Sequence, residues 1–548
     1  MNEKIFPKEE EIPKEYRINP IEQKKYLVNG ELREWDGETQ SVLSPVCIES
    51  YALSNDSSSI AKKYLGSYPM LTEKESLEAL DAAVNAYDHG RGEWPTMPVE
   101  KRIEHVENFI YNMGKVRDEV VNLLMWEIGK SYKDSAKEFD RTIDYIKDTI
   151  DALKDLDNGS SRFSSEDGVL AQIRRSSLGT VLCMGPFNYP LNETYTTLIP
   201  ALIMGNTVVF KPAKYGVLLH EPLLKAYQES FPKGVINTVY GDGAEVIGPI
   251  MESGKVDVLA FIGSAFVANL LKKQHPKLNR LKSVLGLNAK NPAIILPDAD
   301  MENTVNECVQ GSLSYNGQRC TALKLIYVHK DVADEFNSKF IEKVDNLKLG
   351  MPWTPNVNIT PLPEAGKIEY LLDLVMDAQA NGAKIVNNGG LREDGKFKVS
   401  DHTFFSPVVI YPVNDKMKIF QQEQFGPIVP IIPFDDINEP LNYVVNSEFG
   451  QQLSIFGKDI DTISKLIDPL TNQVSRININ CQCQRGPDQY PFTGRKDSAE
   501  GTLSVTDALK VFSIRTMVAA KLTDENKEIL KDIVKENKSK FLSTDYIF

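Results

Sequence analysis

With 548 residues, 42% of them hydrophobic and 25% charged, the chain has the make-up of a soluble globular protein and is too long for one compact core, so two or three domains are expected. Its net charge of −14 argues against a nucleic-acid or membrane-surface binder, which would gather Lys and Arg. No apolar run reaches membrane-spanning length, the charged start lacks the apolar core of a secretory signal, and six scattered cysteines are too few for a disulfide framework, so a reducing, cytoplasmic setting is expected.

In chain order, the first ~25 residues are rich in Pro and charge and read as a poorly ordered arm. Order is expected from Lys25-Tyr-Leu-Val-Asn-Gly-Glu-Leu32, an apolar strand meeting an Asn-Gly hairpin turn. Between Glu73 and about Leu153 the apolar positions fall at helical spacing, with Leu77, Leu80, Ala83 and Val84 on one stretch and Ile103, Val106, Phe109 and Ile110 on the next. From 167 to 290, short apolar runs at 179–184, 207–210, 235–239 and 256–262 alternate with helical stretches, the pattern of a parallel sheet with covering helices. A second α/β unit is expected from about 291, with strands near 293–296, 325–328 and 428–432, and the tail after Thr523 reads as an amphipathic helix. Leu509-Lys-Val-Phe-Ser-Ile514 alternates apolar and polar and suits an edge strand.

Three segments carry chemistry. Ser314-Tyr-Asn-Gly-Gln-Arg-Cys-Thr321 places Cys320 among polar and small residues, where a nucleophilic thiol would sit, although a lone cysteine is more often an inert core residue. Met184-Gly-Pro-Phe-Asn-Tyr-Pro190 sets the Asn188 amide on a Pro-bounded turn, and Gln422-Glu-Gln-Phe-Gly-Pro427 offers Glu423 and Phe425 two positions apart. No Gly-x-Gly-x-x-Gly turn opens the first βα unit. In its place stand Phe210-Lys-Pro-Ala-Lys214, the glycine-rich loop around Gly243, and Phe261-Ile-Gly-Ser264, whose amides and hydroxyl suit a phosphate at a helix start. Cys481-Gln-Cys483 lacks a second ligand pair, and no metal is expected.

These segments, in this order and spacing, resemble the aldehyde dehydrogenase superfamily over about residues 25 to 520. The resemblance implies an α/β fold with a Rossmann-type parallel-sheet cofactor domain (25–157 and 177–288) and an α/β catalytic domain (289–495). It adds a small β oligomerisation element (158–176 and 502–520), between an N-terminal arm (1–24) and a C-terminal helical tail (521–548). A homodimer or homotetramer is implied. Cys320 would be the nucleophile, with Asn188 and the Cys320 N–H holding the oxyanion. Lys211 would contact the adenosine ribose, Gly263 and Ser264 the pyrophosphate, and Glu423 and Phe425 the nicotinamide end. Many NAD-preferring members carry a glutamate where this chain has Lys214, and a lysine there would attract a 2′-phosphate, so NADP, or use of both nicotinamide cofactors, is expected.

Asn316-Gly-Gln-Arg-Cys-Thr321, Arg485-Gly-Pro-Asp-Gln-Tyr-Pro-Phe492 and Lys137-Glu-Phe-Asp-Arg-Thr142 are similar to the non-phosphorylating, NADP-dependent glyceraldehyde-3-phosphate dehydrogenases of that superfamily. This implies oxidation of D-glyceraldehyde 3-phosphate to 3-phosphoglycerate through a cysteine thioester, with Arg141, Arg319 and Arg485 on the substrate phosphate. Arg319 is also expected to lower the thiol pKa of its neighbour. One departure stands out: aligned on Lys290, the glutamate that activates the deacylating water falls on Gly286. Asn288, Glu193 and Glu423 are the candidate substitutes; otherwise the acyl group passes to coenzyme A, or the protein binds without deacylating.

Overall fold

The computed structural model describes residues 5–51, 58–388, 391–393 and 396–548. Two parallel sheets form its body. The first runs in the order Ile236–Thr238, Thr207–Lys211, Thr180–Met184, Val258–Ile262, Lys282–Gly286 and Ala499–Glu500, all parallel except the last. Its interior is apolar on both faces: Val181, Leu182, Val208, Val209, Val258 and Leu259 are all fully buried, as a helix-covered parallel sheet requires. The strand order turns back between Thr180–Met184 and Val258–Ile262, and such a switch opens a ligand crevice at the carboxyl ends of the strands. Lys211 closes one of those strands and Gly263 follows another.

The second sheet takes the order Lys384–Ile385, Val408–Tyr411, Ile428–Phe434, Leu323–His329, Asn291–Ile295, Gln452–Phe456 and Arg476–Ile479, parallel but for its first strand. Residues 287–290 join the two sheets, because Gly286 ends a strand of the first and Asn291 begins one of the second. The helical region expected after Glu73 is present as Glu73–Tyr87, Val99–Gly114, Arg117–Ile128 and Tyr132–Asn158. Thr72 and Glu75 form a capping box at its start, and Leu80, Ala83, Val106 and Phe109 lie fully buried on the faces the spacing marked out. The Asn29-Gly30 turn joins strands Lys25–Val28 and Glu31–Glu34 with both residues at positive φ, 53° and 74°, as a two-residue hairpin demands.

Two expectations need correction. The arm before residue 25 is packed from residue 5 onward: Phe6 and Ile12 are buried, and the Tyr16 carbonyl accepts a hydrogen bond from Trp126 Nε1 at 2.7 Å. Its scattered apolar side chains find a core in the following helices, which composition alone does not reveal. Leu509-Lys-Val-Phe-Ser-Ile514 is also not a single strand. Ser504 caps a short helix, Val505–Val511, which buries Ala508 and Leu509, and the strand starts only at Ser513. That strand, Ser513–Lys521, pairs antiparallel with Val169–Ser177, which pairs in turn with Phe163–Glu166. The tail helix is Asp524–Lys535, with Leu530 its one buried residue. The chain then returns over the three-stranded sheet, where Arg174 and Gln172 donate to the Phe541 and Ser543 carbonyls. Among the described residues no helix is long and apolar enough to cross a membrane.

Candidate active site

Cys320 lies in a tight loop at the amino end of strand Leu323–His329, half-buried at the floor of a cavity of about 470 Å³. The loop is bent sharply: Tyr315 and Asn316 adopt positive φ of 49° and 57°, a cost held in place by the Asn316 side chain, which donates to Thr360 Oγ1 at 3.0 Å and accepts from Thr360 N at 2.9 Å. Gly317 at φ 69° is required there, since a Cβ would stand 2.8 Å from the Gly426 and Ser312 carbonyls. Behind the nucleophile, Asn291 Nδ2 at 2.8 Å and Lys324 Nζ at 3.0 Å both donate to the Cys320 carbonyl.

The thiol itself stands above its ordinary pKa. Burial is the first cause and the Glu193 carboxylate the second, while Lys324, Arg485 and a hydrogen bond with Gln451 pull the other way without prevailing. The expectation that Arg319 depresses this pKa is therefore corrected. The guanidinium bonds to the Gly311 carbonyl at 3.0 Å and Gln482 Oε1 at 3.3 Å, and the cations that lower the thiol pKa are Lys324 and Arg485.

Asn188 sits beside the loop. Its side-chain amide donates to the Gln318 carbonyl at 2.8 Å, two residues before the thiol, which uses one of its two N–H groups. The turn carrying Asn188 is pinned by a fully buried pair that sequence reading missed. Lys130 Nζ donates to the Asn188 carbonyl at 2.7 Å and to Glu138. Glu138 Oε1 in turn accepts from the Leu191 and Asn192 N–H groups at 3.1 Å each, capping helix Asn192–Ile203 from outside. Burial drives the Lys130 pKa down and the Glu138 charge resists it. Tyr189 and Tyr315 cover the ammonium with their rings at 3.6 and 4.3 Å.

The three arginines singled out by sequence all line the Cys320 cavity. Two are already occupied. Arg141 forms a forked pair with Asp488 at 2.8 and 3.1 Å, and Arg485 bonds to Glu193 and reaches Asp488 at 3.3 Å. Burial works to raise Asp488, but the two arginines outweigh it and hold the carboxyl below its ordinary range. Arg141 and Arg485 are thus paired with Asp488 and Glu193, in a cavity that Lys137, Asp134 and Glu138 also line, and Arg319 is the one of the three arginines whose hydrogen bonds go to no carboxylate.

Glu423 forms an ion pair with Lys324 Nζ at 2.5 Å and accepts from Asn288 Nδ2 at 2.7 Å and the Ala289 N–H at 3.4 Å. Asn288 is held at both ends, its oxygen accepting from the Ala265 N–H at 3.0 Å, so it links the start of helix Ala265–Gln274 to Glu423 and is not free to assist water. Lys290 ties down the same segment through Gln422 O and Gln424 Oε1 at 2.7 and 2.6 Å. Phe425 takes φ 44°, unusual for an aromatic, and packs edge-on to Phe187 at 5.9 Å. Position 286 holds no carboxylate: Gly286 pairs with Ile262 and Ala499 in the sheet and accepts from the Gly263 N–H at 2.9 Å.

At the carboxyl edge of the first sheet the structure gathers the other expected cofactor residues. Ser264 caps helix Ala265–Gln274 next to Gly263, Gly243 opens helix Gly243–Glu252, and exposed Lys214 lies just beyond Lys211. Burial brings the Lys211 pKa down to about 8, and among the described residues its Nζ has only the Pro212 carbonyl at 3.4 Å. A half-buried ammonium so poorly matched fits a hydroxyl- and phosphate-bearing nucleotide.

A parallel nucleotide-type sheet, a second α/β unit and a cysteine loop between them make up the architecture of an aldehyde-oxidising dehydrogenase. The chain belongs to the aldehyde dehydrogenase family, whose model matches residues 53–518, and is an oxidoreductase acting on aldehydes. It is 31% identical over 465 residues to the NADP-dependent glyceraldehyde-3-phosphate dehydrogenase of Streptococcus equinus, spanning 84% of this chain and 92% of that one. A lactaldehyde dehydrogenase of Methanococcus aeolicus is 29% identical over 460 residues, 83% and 94% of the two chains. The crystal structure of NADP-dependent glyceraldehyde-3-phosphate dehydrogenase from Bacillus halodurans complexed with NADP superimposes with a TM-score of 0.81 at 30% identity, covering 91% of this chain and all of that one.

Proposed function

We propose that the protein oxidises a small phosphorylated aldehyde, D-glyceraldehyde 3-phosphate in the first instance, to the acid with NADP. The observation that carries this reading is the convergence of Arg141, Arg319 and Arg485 on the cavity floored by Cys320. Arg319, a cation of this cavity whose hydrogen bonds go to no carboxylate, is available to fork onto a phosphate.

The Cys320 thiol gives its proton to solvent and its sulfur bonds to the aldehyde carbon as the C=O π pair moves to oxygen, forming a hemithioacetal oxyanion received by the free Asn188 N–H and the Cys320 backbone N–H. Bound NADP supplies the hydride acceptor. Lys211, Lys214, Gly243, Gly263 and Ser264 would hold its adenosine and phosphate end, Glu423 and Phe425 its nicotinamide end. Loss of hydride leaves a thioester on Cys320. The same reading carries a cytoplasmic homodimer or homotetramer assembled through the Val169–Ser177 and Ser513–Lys521 strands.

The test of the substrate is Arg319→Ala. Loss of a charged hydrogen bond of about 1.5–3 kcal/mol should raise the KM for glyceraldehyde 3-phosphate roughly 10- to 100-fold and leave that for glyceraldehyde nearly unchanged; an equal rise for both would remove the phosphate from the proposal. The cofactor is tested by Lys214→Glu, which should move the preference from NADP toward NAD in kcat/KM for the two nucleotides. An unchanged ratio would show that Lys214 does not meet the 2′-phosphate.

A further inference from the structure

A thioester on Cys320 must be resolved, and position 286 offers nothing to do it. Resting on the function proposed above, we infer that Glu193 is the general base that activates the hydrolytic water. Each other carboxylate around the cavity is committed. Glu138 is fully buried on Lys130 and two backbone N–H groups, Asp488 is shared by two arginines, Glu423 is gripped by Lys324, Asn288 and Ala289, and Asp134 is exposed and bonded to Ser131. Glu193 is 8% exposed, lines the cavity with Cys320, and meets Arg485 through Oε2 alone; among the described residues Oε1 has no hydrogen-bond partner. Of the charged groups around the thiol it is the one whose field acts most strongly there, ahead of Lys324 and Arg485.

The placement follows from the fold. Glu193 is the second residue of helix Asn192–Ile203, whose first turn is fixed by Glu138 and whose preceding turn carries Asn188. Oxyanion donor and base thus come from one rigid corner. In the step, water oxygen bonds to the thioester carbon as Glu193 takes the water proton. The tetrahedral species then collapses, the C–S bond breaks with its electron pair leaving on the Cys320 sulfur, and the acid departs with the water oxygen. Arg485 stays bonded to Glu193 through Oε2, and the proton that Glu193 takes from water passes to solvent once the acid departs.

The experiment is rapid mixing of wild type and Glu193→Gln with NADP and glyceraldehyde 3-phosphate, without coenzyme A. Wild type should turn over steadily. The variant should release about one NADPH per site and then slow by about 100-fold or more, the lower end of what a general base contributes. Mass spectrometry should find the acyl group on Cys320, and hydroxylamine, a nucleophile needing little help, should restore turnover. With a negative neighbour removed, Cys320 should alkylate faster at neutral pH. Glu193→Asp, which keeps the carboxylate, should recover part of the rate, and unchanged melting and NADP binding certify both variants as folded.

Steady turnover by Glu193→Gln at near the wild-type rate overturns the proposal. So does loss of the burst itself, which would place Glu193 in acylation, and so does a wild type that arrests until coenzyme A is added. If wild type ignores the phosphorylated aldehyde but oxidises glyceraldehyde, the substrate reading fails alone and the same comparison is run on glyceraldehyde.

Discussion

Cys320→Ala is expected to remove hydride transfer altogether while leaving nucleotide binding intact. The loop is set by Asn316, Gly317 and Thr360, and the alanine backbone carbonyl still receives Asn291 and Lys324, so the substitution deletes one sulfur from a frame that does not depend on it. Without covalent attachment no hemithioacetal forms, and the loss should reach the assay floor, beyond about 1,000-fold. NADP titration by fluorescence should give an unchanged dissociation constant. Turnover at even a tenth of the wild-type rate in that variant would mean that another group is the nucleophile.

Glu138→Ala is expected to have the largest effect on stability. The change strands Lys130 in the core without a countercharge and strips the Leu191 and Asn192 N–H groups of their acceptor. Breaking such a pair costs about 3–5 kcal/mol, which should appear as a lower urea midpoint and, because the Asn188 turn hangs from Lys130, as lost activity in whatever folds. Lys130→Met with Glu138→Leu should recover much of the stability but not the activity, since the bond to the Asn188 carbonyl is gone. A Glu138→Ala protein with wild-type unfolding would show that the pair holds nothing in place.

The parallel sheets were legible because their strands are short, apolar and evenly interrupted, and the hairpin at Asn29-Gly30 because only that dipeptide suits the turn. Cys320, Asn188, Glu423 and the three arginines stand in motifs in which residue type and local order speak together, and the fold brings Cys320 and the arginines to one cavity. What stayed hidden was pairing across distance. Nothing in Lys130 or Glu138 announces a buried ion pair beneath a turn some fifty residues away, and Asp488 looks like a loop acid until the fold sets it between Arg141 and Arg485. The long strands Thr39–Tyr51 and Ser58–Pro69 escaped because their sequences mix polar and apolar residues without a clean alternation, and they pair mainly with each other. The thiol pKa was misjudged for the same reason: adjacency to Arg319 in the chain is visible, whereas burial and Glu193 are not.

The grip on Cys320 has a bearing on how its chemistry proceeds. Asn291 and Lys324 clamp the carbonyl of that residue, while the sulfur feels only Gln451 and the surrounding charges. In the proposed reaction, a nucleophile anchored by its main chain keeps one fixed pivot while its reactive atom passes from thiol to hemithioacetal to thioester and back. The protein therefore has little to rearrange between steps, and the reorganisation that solvent would otherwise undergo at each change of charge is built into the folded chain in advance.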